Sequence, residues 1–268
     1  MNYKETQYIV FDVESVPDAK LIKAVKYPNE PYTEDEAVEE LRKHILKLSN
    51  GNSDFIPATF HFPVSVCIAK VREDFTLQDL VSLDEPNFRA RDMTRLFWHG
   101  IENLYDHASF VTFNGRGFDI PLLELMAYRY GIPVKRHFKD KFGGRYRFGT
   151  KHLDMQDILS NYGAIHMAGG LNLLAKVIGK PGKMGTSGAD VHAMYKEGKL
   201  QEISDYCMHD VLDTYFVFLR SRVVTGEITA KREKEIEAQA RIFVENNAVR
   251  IHALQEYLDN WKDTPPWP

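Results

Sequence analysis

The chain has 268 residues, of which 44% are hydrophobic and 12% aromatic, and its formal net charge is −4. This length and composition suit one large domain, or a core with an appended segment, that buries a substantial hydrophobic interior. The slight acidity argues against recognition of nucleic acid through overall positive charge, so any such function depends on where the basic residues cluster.

Neither the cysteines nor the apolar segments indicate a secreted or membrane protein. Cys67 and Cys207 lack the spacing of a disulfide framework or a zinc motif, so we expect two buried thiols. No segment has the length and hydrophobicity of a signal sequence or a membrane span. We therefore expect a soluble cytoplasmic protein with no membrane partner.

The first elements in chain order are short β-branched and aromatic runs, which are typical of buried strands. Residues 8–13 predict the first strand, and Val64–Val71 with Phe75–Leu83 predict a hairpin across a short charged link. Between them, residues 18–60 are mixed and polar. We interpret them as an insertion with one helix over Thr33–Leu48.

The later segments alternate helical and strand patterns. The predicted helices cover 88–106, 120–130, 171–178 and 203–222, and the predicted strands cover Phe110–Phe113 and His152–Met155. Residues 228–261 predict one long helix packed on the core, with an apolar stripe formed by Ile251, Leu254, Leu258 and Trp261. This order predicts an α/β fold with a mixed five-stranded sheet flanked by helices over residues 1–222, and a helical C-terminal extension over residues 223–268.

The first acidic motif is the pair Asp12 and Glu14 at the end of the first predicted strand. Residues i and i+2 of a strand share a face, so the two carboxylates point the same way and repel each other unless a cation lies between them. An Asp-x-Glu pair is also common at solvated strand ends, so this motif alone leaves both interpretations open.

Two further acidic positions follow later in the chain. Asp119 comes after a glycine-rich turn that ends the fourth predicted strand, where it is either a site residue or simply a helix N-cap. Tyr206 and Asp210 are four residues apart, so they share one face of a predicted helix. Each motif alone is also typical of an exposed structural position.

In combination, these motifs resemble those of the DnaQ-like exonuclease superfamily. As in that superfamily, a DxE pair lies on the first strand, an Asp follows the fourth strand, and a YxxxD pair lies on a late helix. The tyrosine resembles the DEDDy branch, because the DEDDh branch has a histidine where this chain has Asp205. Four further segments are similar to the stand-alone bacterial family related to the exonuclease domain of family-B DNA polymerases: Phe11–Asp18, Phe60–Ser65, Phe113–Gly115 and Gly170–Gly188.

That resemblance covers residues 6–222 and implies an RNase H-like fold and a free-standing 3′–5′ exonuclease without a polymerase domain. It also implies hydrolysis with two divalent ions, Mg²⁺ or Mn²⁺, which suit hard oxygen ligands. By resemblance, Asp12 bridges both ions and Glu14 and Asp210 complete the first site. Asp119 holds the second ion, and Tyr206 orients the attacking water.

Candidate substrate contacts come from a basic and aromatic segment, residues 129–152, and from the neighbours of Asp119. Basic groups neutralise phosphates and aromatic rings stack on unpaired bases, although a solvated loop would have a similar composition. We single out Arg145 and Arg147 in this segment, and Asn114 and Phe118 for the terminal nucleotide.

Other charged residues have simpler interpretations. Asp154 and Asp157 are expected at a strand end and a helix cap, and Asp213 on a solvated helix surface. Lys180 and Lys183 are weaker candidates for a phosphate contact.

Three functions remain open. The first is a 3′–5′ exonuclease acting on single-stranded DNA, the second an RNA-trimming enzyme with the same site, and the third a nucleic-acid-binding protein that retains the fold without activity. The intact set of five motif residues argues against the third. The resemblance to DNA polymerases favours DNA over RNA.

Overall fold

The computed structural model of the chain describes residues 3–141 and 143–262. Within these ranges, five strands form one sheet: β1 (Thr6–Pro17), β2 (His61–Arg72), β3 (Leu77–Ser82), β4 (Ser109–Thr112) and β5 (His152–Asp154). Their spatial order is β3-β2-β1-β4-β5. Strand β1 pairs antiparallel with β2 and parallel with β4, so the sheet is mixed.

Eleven α-helices are present in the described ranges and flank this sheet. They are α1 (Ala19–Lys26), α2 (Glu34–Leu48), α3 (Ala90–Asn103), α4 (Asp119–Tyr130), α5 (Lys135–Lys139), α6 (Met155–Leu159), α7 (Gly170–Val177), α8 (Val191–Lys196), α9 (Leu200–Val224), α10 (Ala230–Asn247) and α11 (Ala253–Asn260). The predicted α/β class is confirmed: the chain has a five-stranded mixed sheet flanked by helices, a fold of the RNase H-like type.

The alternation of side chains along β1 divides the core into two layers. Ile9, Phe11 and Val13 pack with the buried side chains of α3 and α4. Val10 points the other way and packs with those of α9, α10 and α11. Asp12 and Glu14 are in phase with Val10, so β1 directs both carboxylates toward α9.

Strand β1 extends beyond its parallel neighbour, which leaves space at the carboxyl end of the sheet. The pairing of β1 with β4 covers Tyr8–Val10. Farther along β1, the register with β2 shifts between Glu14 and Ser15, next to Pro63, which has no N–H to donate to the ladder. Open α/β sheets bind ligands in the crevice outside the carboxyl ends of their strands, and Asp12 and Glu14 lie there.

The inserted segment between β1 and β2 contains the predicted helix and one that sequence analysis missed. Thr33 and Glu36 form a reciprocal capping box at the start of α2, as its sequence indicates. Helix α1 precedes it, with Asp18 as an N-cap that accepts the Leu21 N–H. The two helices pack on each other around a small separate cluster of Ile22, Ala37, Val38, Leu41 and Ile56.

The prediction of one long helix over 228–261 is wrong, because the chain turns between α10 and α11. The backbone N–H groups of Arg250 and Ile251 donate to the carbonyl of Asn247, which closes the turn. Helix α11 therefore folds back on α9 and buries Leu254 and Tyr257. Both helices contribute buried side chains to the cluster that also contains those of α9.

The expectation of a solvated Asp213 is also wrong. Its side chain is 1% exposed and accepts a hydrogen bond of 2.8 Å from the Tyr257 hydroxyl of α11. Burial raises the pKa of this carboxyl group to about 8. The helix that covers Asp213 follows only after α10, so the local sequence pattern of α9 cannot reveal the burial.

Candidate active site

The acidic residues of β1 and α9 meet between the sheet and the helix. One carboxylate oxygen from each of Asp12, Glu14 and Asp210 lies within 4.8 Å of the others. Cys207 packs against this part of β1, with its Sγ 3.4 Å from the carbonyl oxygen of Asp12. The fold therefore brings together an N-terminal pair and a residue of a late helix, and it buries Cys207 and Cys67, as predicted for both thiols.

Asp119 approaches the same carboxylates from the opposite side of β1. It is the first residue of α4, whose N-cap is Phe118, so Asp119 is not the N-cap that its sequence context allows. Its carboxylate lies near the backbone N–H of Val13 in β1. Its Oδ1 atom is buried and has no hydrogen-bond partner among the described residues.

The four acids oppose each other's ionisation. Burial and the charges of Asp119, Glu14 and Asp210 raise the pKa of Asp12 well above its usual value, and burial with the same repulsion raises that of Glu14. Burial also raises the pKa of Asp119 to about 7 and that of Asp210 to about 6. The surfaces of Asp12 and Glu14 that solvent can reach open into a cavity, and protein surrounds the rest of both side chains.

Such a set of donors fits a hard divalent cation. Carboxylate oxygens are the ligands that Mg²⁺ and Mn²⁺ prefer, and a cation among these acids would offset their repulsion. The unpartnered Oδ1 of Asp119 provides a further acceptor for an ion or for a water molecule bound to one.

Tyr206 lies one helical turn before Asp210, and its side chain is 8% exposed. The two side chains lie on one face of α9, beside Glu14 and Asp12 of β1. Burial and the charges of Asp210, Glu14 and Asp12 raise the pKa of this phenol far above its usual value. Tyr206 therefore stays protonated and can orient a ligand but cannot act as a base near neutral pH.

The loop that leads to Asp119 is held by a buried aspartate at the end of β5. Asp154 accepts the backbone N–H groups of Asn114 and Arg116, each at 2.9 Å. It also caps α6 by accepting the N–H groups of Gln156 and Asp157, so its predicted place at a strand end is confirmed. Its contact with the loop before Asp119 was not predicted, since it joins segments about 40 residues apart.

A cavity of about 570 Å³ lies next to Asp12, Glu14 and Asp119. Asn114 and Phe118, the two residues predicted to contact the terminal nucleotide, line it. Its remaining walls come from β1, the start of β2, the inserted segment, and α8 with the segment before it. Their side chains include Arg42, Phe55, His61, Lys183 and His192. This volume is within the usual range for sites that bind small organic molecules.

Arg145 and Arg147 are not among the residues that line this cavity. Arg145 pairs with Glu124 at 3.0 Å and lies over the ring of Phe138. Arg147 pairs with Asp157 at 2.9 Å. Both charges thus have acidic partners within the protein, away from the clustered carboxylates.

The two candidate lysines have different surroundings. Lys183 lies at the junction of the cavity and two neighbouring pockets that Tyr206 and Asp210 line, and its charge lowers the pKa of Glu14 and Asp210. Lys180 is buried, pairs with Glu237 at 2.8 Å and packs over the rings of Phe216 and Trp261. Lys183 is therefore available to a ligand at the site, and Lys180 has a structural role.

Sequence analysis missed the cavity-lining residues of the inserted segment, among them Arg42 and Phe55. The capping box of α2 gave the position of that helix but not the direction in which it packs. Only the tertiary contacts of α2 show that Arg42 faces the cavity.

A family model described as "Predicted 3'-5' exonuclease related to the exonuclease domain of PolB" matches residues 53–261. The match includes α10 and α11 but not β1, so the convergence of Asp12 and Glu14 with Asp210 is an observation independent of it. A comparison with curated proteins found no match. Among the described residues, no helix combines the length and hydrophobicity needed to cross a membrane.

Proposed function

We propose that this chain, which belongs to the family of predicted 3′–5′ exonucleases related to the exonuclease domain of PolB, removes nucleotides from the 3′ end of single-stranded DNA with the help of two divalent metal ions. The convergence of Asp12, Glu14 and Asp210, with oxygens within 4.8 Å of one another, carries this proposal. Membership of the family supports exonuclease activity in general. The metal pair, the DEDDy type of site and the preference for DNA go beyond it.

The roles of the residues follow from their positions. Asp12, Glu14 and Asp210 would hold one ion. Asp12 and Asp119 would hold the other, since the Oδ1 atom of Asp119 has no hydrogen-bond partner in the part of the chain that the structure describes. Bound Mg²⁺ or Mn²⁺ supplies charge stabilisation at the scissile phosphate and lowers the pKa of a bound water.

Tyr206 orients the attacking water through its hydroxyl group. The phenol stays protonated beside these acids, so it acts through its position rather than by accepting a proton. The positive charge of Lys183 stabilises the crowded carboxylates and faces the place where the phosphate binds.

Phe118 and Asn114 contact the terminal nucleotide from the cavity wall. Stacking on an aromatic ring requires an unpaired base, which favours a single-stranded end. The relation of the family to a DNA polymerase domain supports DNA over RNA. Arg145 and Arg147 could contact the DNA strand only outside the cavity. To do so, they would have to release their ion-pair partners Glu124 and Asp157.

The test is hydrolysis of single-stranded DNA and RNA of the same sequence, labelled at the 5′ end and resolved to single nucleotides. With Mg²⁺ or Mn²⁺, the wild-type protein should shorten the labelled DNA one nucleotide at a time and act more slowly on RNA. Release of the labelled 5′ nucleotide at the outset would contradict the direction. Faster hydrolysis of RNA would contradict the proposed substrate but leave the chemistry in place.

A further inference from the structure

We propose that the inserted segment of residues 18–60 completes the substrate pocket, with Arg42 binding a phosphate of the single strand and Phe55 stacking on one of its bases. This inference rests on the proposed function and extends it to residues that the acidic motifs do not include. Arg42 also lies before the matched range of residues 53–261, so the family match says nothing about it.

The inserted segment is fixed to the walls of the cavity. Its helices pack on each other around Ile22, Val38 and Leu41. Asp35 at the start of α2 forms an ion pair of 2.9 Å with Lys196 of α8. Leu41 points into the cluster between α1 and α2, and its neighbour Arg42 lines the cavity.

The Arg42 guanidinium has donors left for a ligand. Its Nη2 atom lies 3.2 Å from Nδ1 of His192, and Nη1 lies 3.8 Å from the carboxylate of Asp54, beyond hydrogen-bonding distance. Its Nε atom is buried and has no hydrogen-bond partner among the described residues. A buried cationic donor without a partner is costly, and a phosphate oxygen would satisfy both its charge and its N–H.

Among the neighbours of Arg42 in the cavity, Asp54 is acidic but lies 3.8 Å away, and two are histidines. Burial and Arg42 lower the pKa of His61 to about 4, and burial, Lys196 and Arg42 lower that of His192. Both imidazoles are therefore neutral near pH 7, and Arg42 supplies positive charge to the wall that the inserted segment contributes. The carboxylates of Asp12, Glu14 and Asp119 lie in the same cavity. This distribution of charge suits a nucleotide whose phosphates face Arg42 and any metal ion held by the carboxylates.

Phe55 provides an aromatic surface on the same wall. Its side chain is 55% exposed, and its ring centroid lies 5.9 Å from that of Phe118 and 5.6 Å from that of His61. An exposed phenylalanine beside a second ring is a stacking surface for an unpaired base. The rings of Phe55 and Phe118 thus come from the inserted segment and from the loop before Asp119, and both line one cavity.

The decisive measurement for Arg42 is the salt dependence of binding to a 5′-labelled single strand. It is followed by fluorescence anisotropy with Ca²⁺ in place of Mg²⁺, and a gel checks that the strand stays intact. Arg42→Ala should weaken binding about tenfold and reduce the slope of log Kd against log salt by about 0.7, the value for one lost phosphate contact on a single strand. Arg42→Lys should retain the slope.

The matched control is Lys43→Ala, which removes the same charge from the next residue of α2. Lys43 is exposed and pairs with Glu40 at 2.6 Å, and it does not line the cavity. It should retain the wild-type slope. A wild-type slope for Arg42→Ala, or the same loss in both variants, would overturn the role of Arg42.

Phe55→Ala should weaken binding by about tenfold at every salt concentration without a change of slope, because stacking involves no release of counterions. Its control is Phe148→Ala, since Phe148 is 66% exposed and belongs to the basic segment outside the cavity. Wild-type affinity for Phe55→Ala, or an equal loss in Phe148→Ala, would overturn the role of Phe55 and point to the basic segment instead.

The outcome is separable from that of the proposed function. If the wild-type protein binds the strand through Arg42 and Phe55 but does not hydrolyse it, the pocket is upheld and the catalytic proposal fails. If it hydrolyses DNA while both variants bind as the wild type does, the proposed function is upheld and the pocket is wrong.

Discussion

The carboxyl groups of Asp12, Glu14, Asp119 and Asp210 are crowded enough to weaken the metal-free protein. Burial raises the pKa of each, and repulsion by neighbouring carboxylates adds to the rise for Asp12, Glu14 and Asp119, so the folded state binds more protons than the unfolded state in the acidic to neutral range. Their contribution to stability is therefore greatest at low pH and is lost as pH rises. Function and stability oppose each other at this site.

Asp12→Asn should raise the melting temperature of the metal-free protein although it abolishes hydrolysis. The substitution removes one charge from the group and relieves the repulsion, which we expect to contribute about 1 kcal/mol or more. It should also reduce the stabilisation by added Mn²⁺, because a ligand stabilises the folded state in proportion to its affinity for it. Thermal unfolding in chelator and at several Mn²⁺ concentrations measures both effects. A metal-induced shift identical to that of the wild type would remove Asp12 from the site.

Tyr206→Phe should slow hydrolysis about tenfold or more and leave Mn²⁺ affinity nearly unchanged. The variant retains the ring and loses only the hydroxyl group that orients the water. Asp210→Asn should weaken both activity and metal binding, since it removes a ligand. Single-turnover hydrolysis and calorimetric titration with Mn²⁺ separate the two roles. Equal losses of metal affinity in both variants would contradict the assignment of Tyr206.

Among the structural elements, the loop between β4 and α4 is held in part by the side chain of Asp154. Asp154→Ala should reduce hydrolysis about a hundredfold, because Asp119 loses its fixed position when the N–H groups of Asn114 and Arg116 lose their acceptor. It should also lower the free energy of unfolding by about 2 kcal/mol. The control is Asp74→Ala, since Asp74 accepts the backbone N–H of Thr76 in the turn between β2 and β3 and has no contact with this loop. Equal activity losses in both variants, measured as kcat, would contradict a positioning role.

Tyr257 of α11 donates a hydrogen bond to Asp213 of α9, and the carboxyl group of Asp213 titrates. The pKa of Asp213 is raised to about 8 in the folded protein, so its contribution to stability is complete below about pH 4 and lost as pH rises through about 8. In chelator, the free energy of unfolding of Asp213→Asn should fall less steeply with pH than that of the wild type, by up to about 1.4 kcal/mol per pH unit. Urea unfolding between pH 5 and 8 measures the slope. The exposed Asp259→Asn should behave as the wild type does, and an unchanged slope for Asp213→Asn would contradict the shifted pKa.

The sequence predicted the elements that have strong local patterns. It did not predict the features that are determined by packing between distant segments. The Asp12–Glu14 pair and the Tyr206–Asp210 pair could be placed on a strand and a helix from their spacing alone. Three features depend on segments that are distant in sequence. They are the direction of Arg42, the burial of Asp213 and the contact of Asp154 with the loop at Asn114. Such contacts have no periodicity within one element, so the sequence pattern gave no sign of them.

At the scale of the whole molecule, the site lies where the sheet, the inserted segment and the C-terminal helices meet. Strand β1 contributes two acids toward α9, and the loop after β4 delivers a third from the other side. The buried residues of α10 and α11 belong to the same cluster as those of α9. We propose that the extension after residue 222 supports the catalytic helix rather than forming an independent unit. The order of strands and helices predicted this architecture, but not the fold-back of α11.

The rate of nucleotide release from a 5′-labelled single strand, measured across a titration with Mn²⁺, tests the central claim most directly. The wild-type protein should be inactive in chelator and gain activity as Mn²⁺ rises. Asp12→Asn should remain at background at every concentration, although it is folded. Activity that survives complete removal of metal, or that persists in Asp12→Asn, would contradict a metal-dependent exonuclease built on these carboxylates.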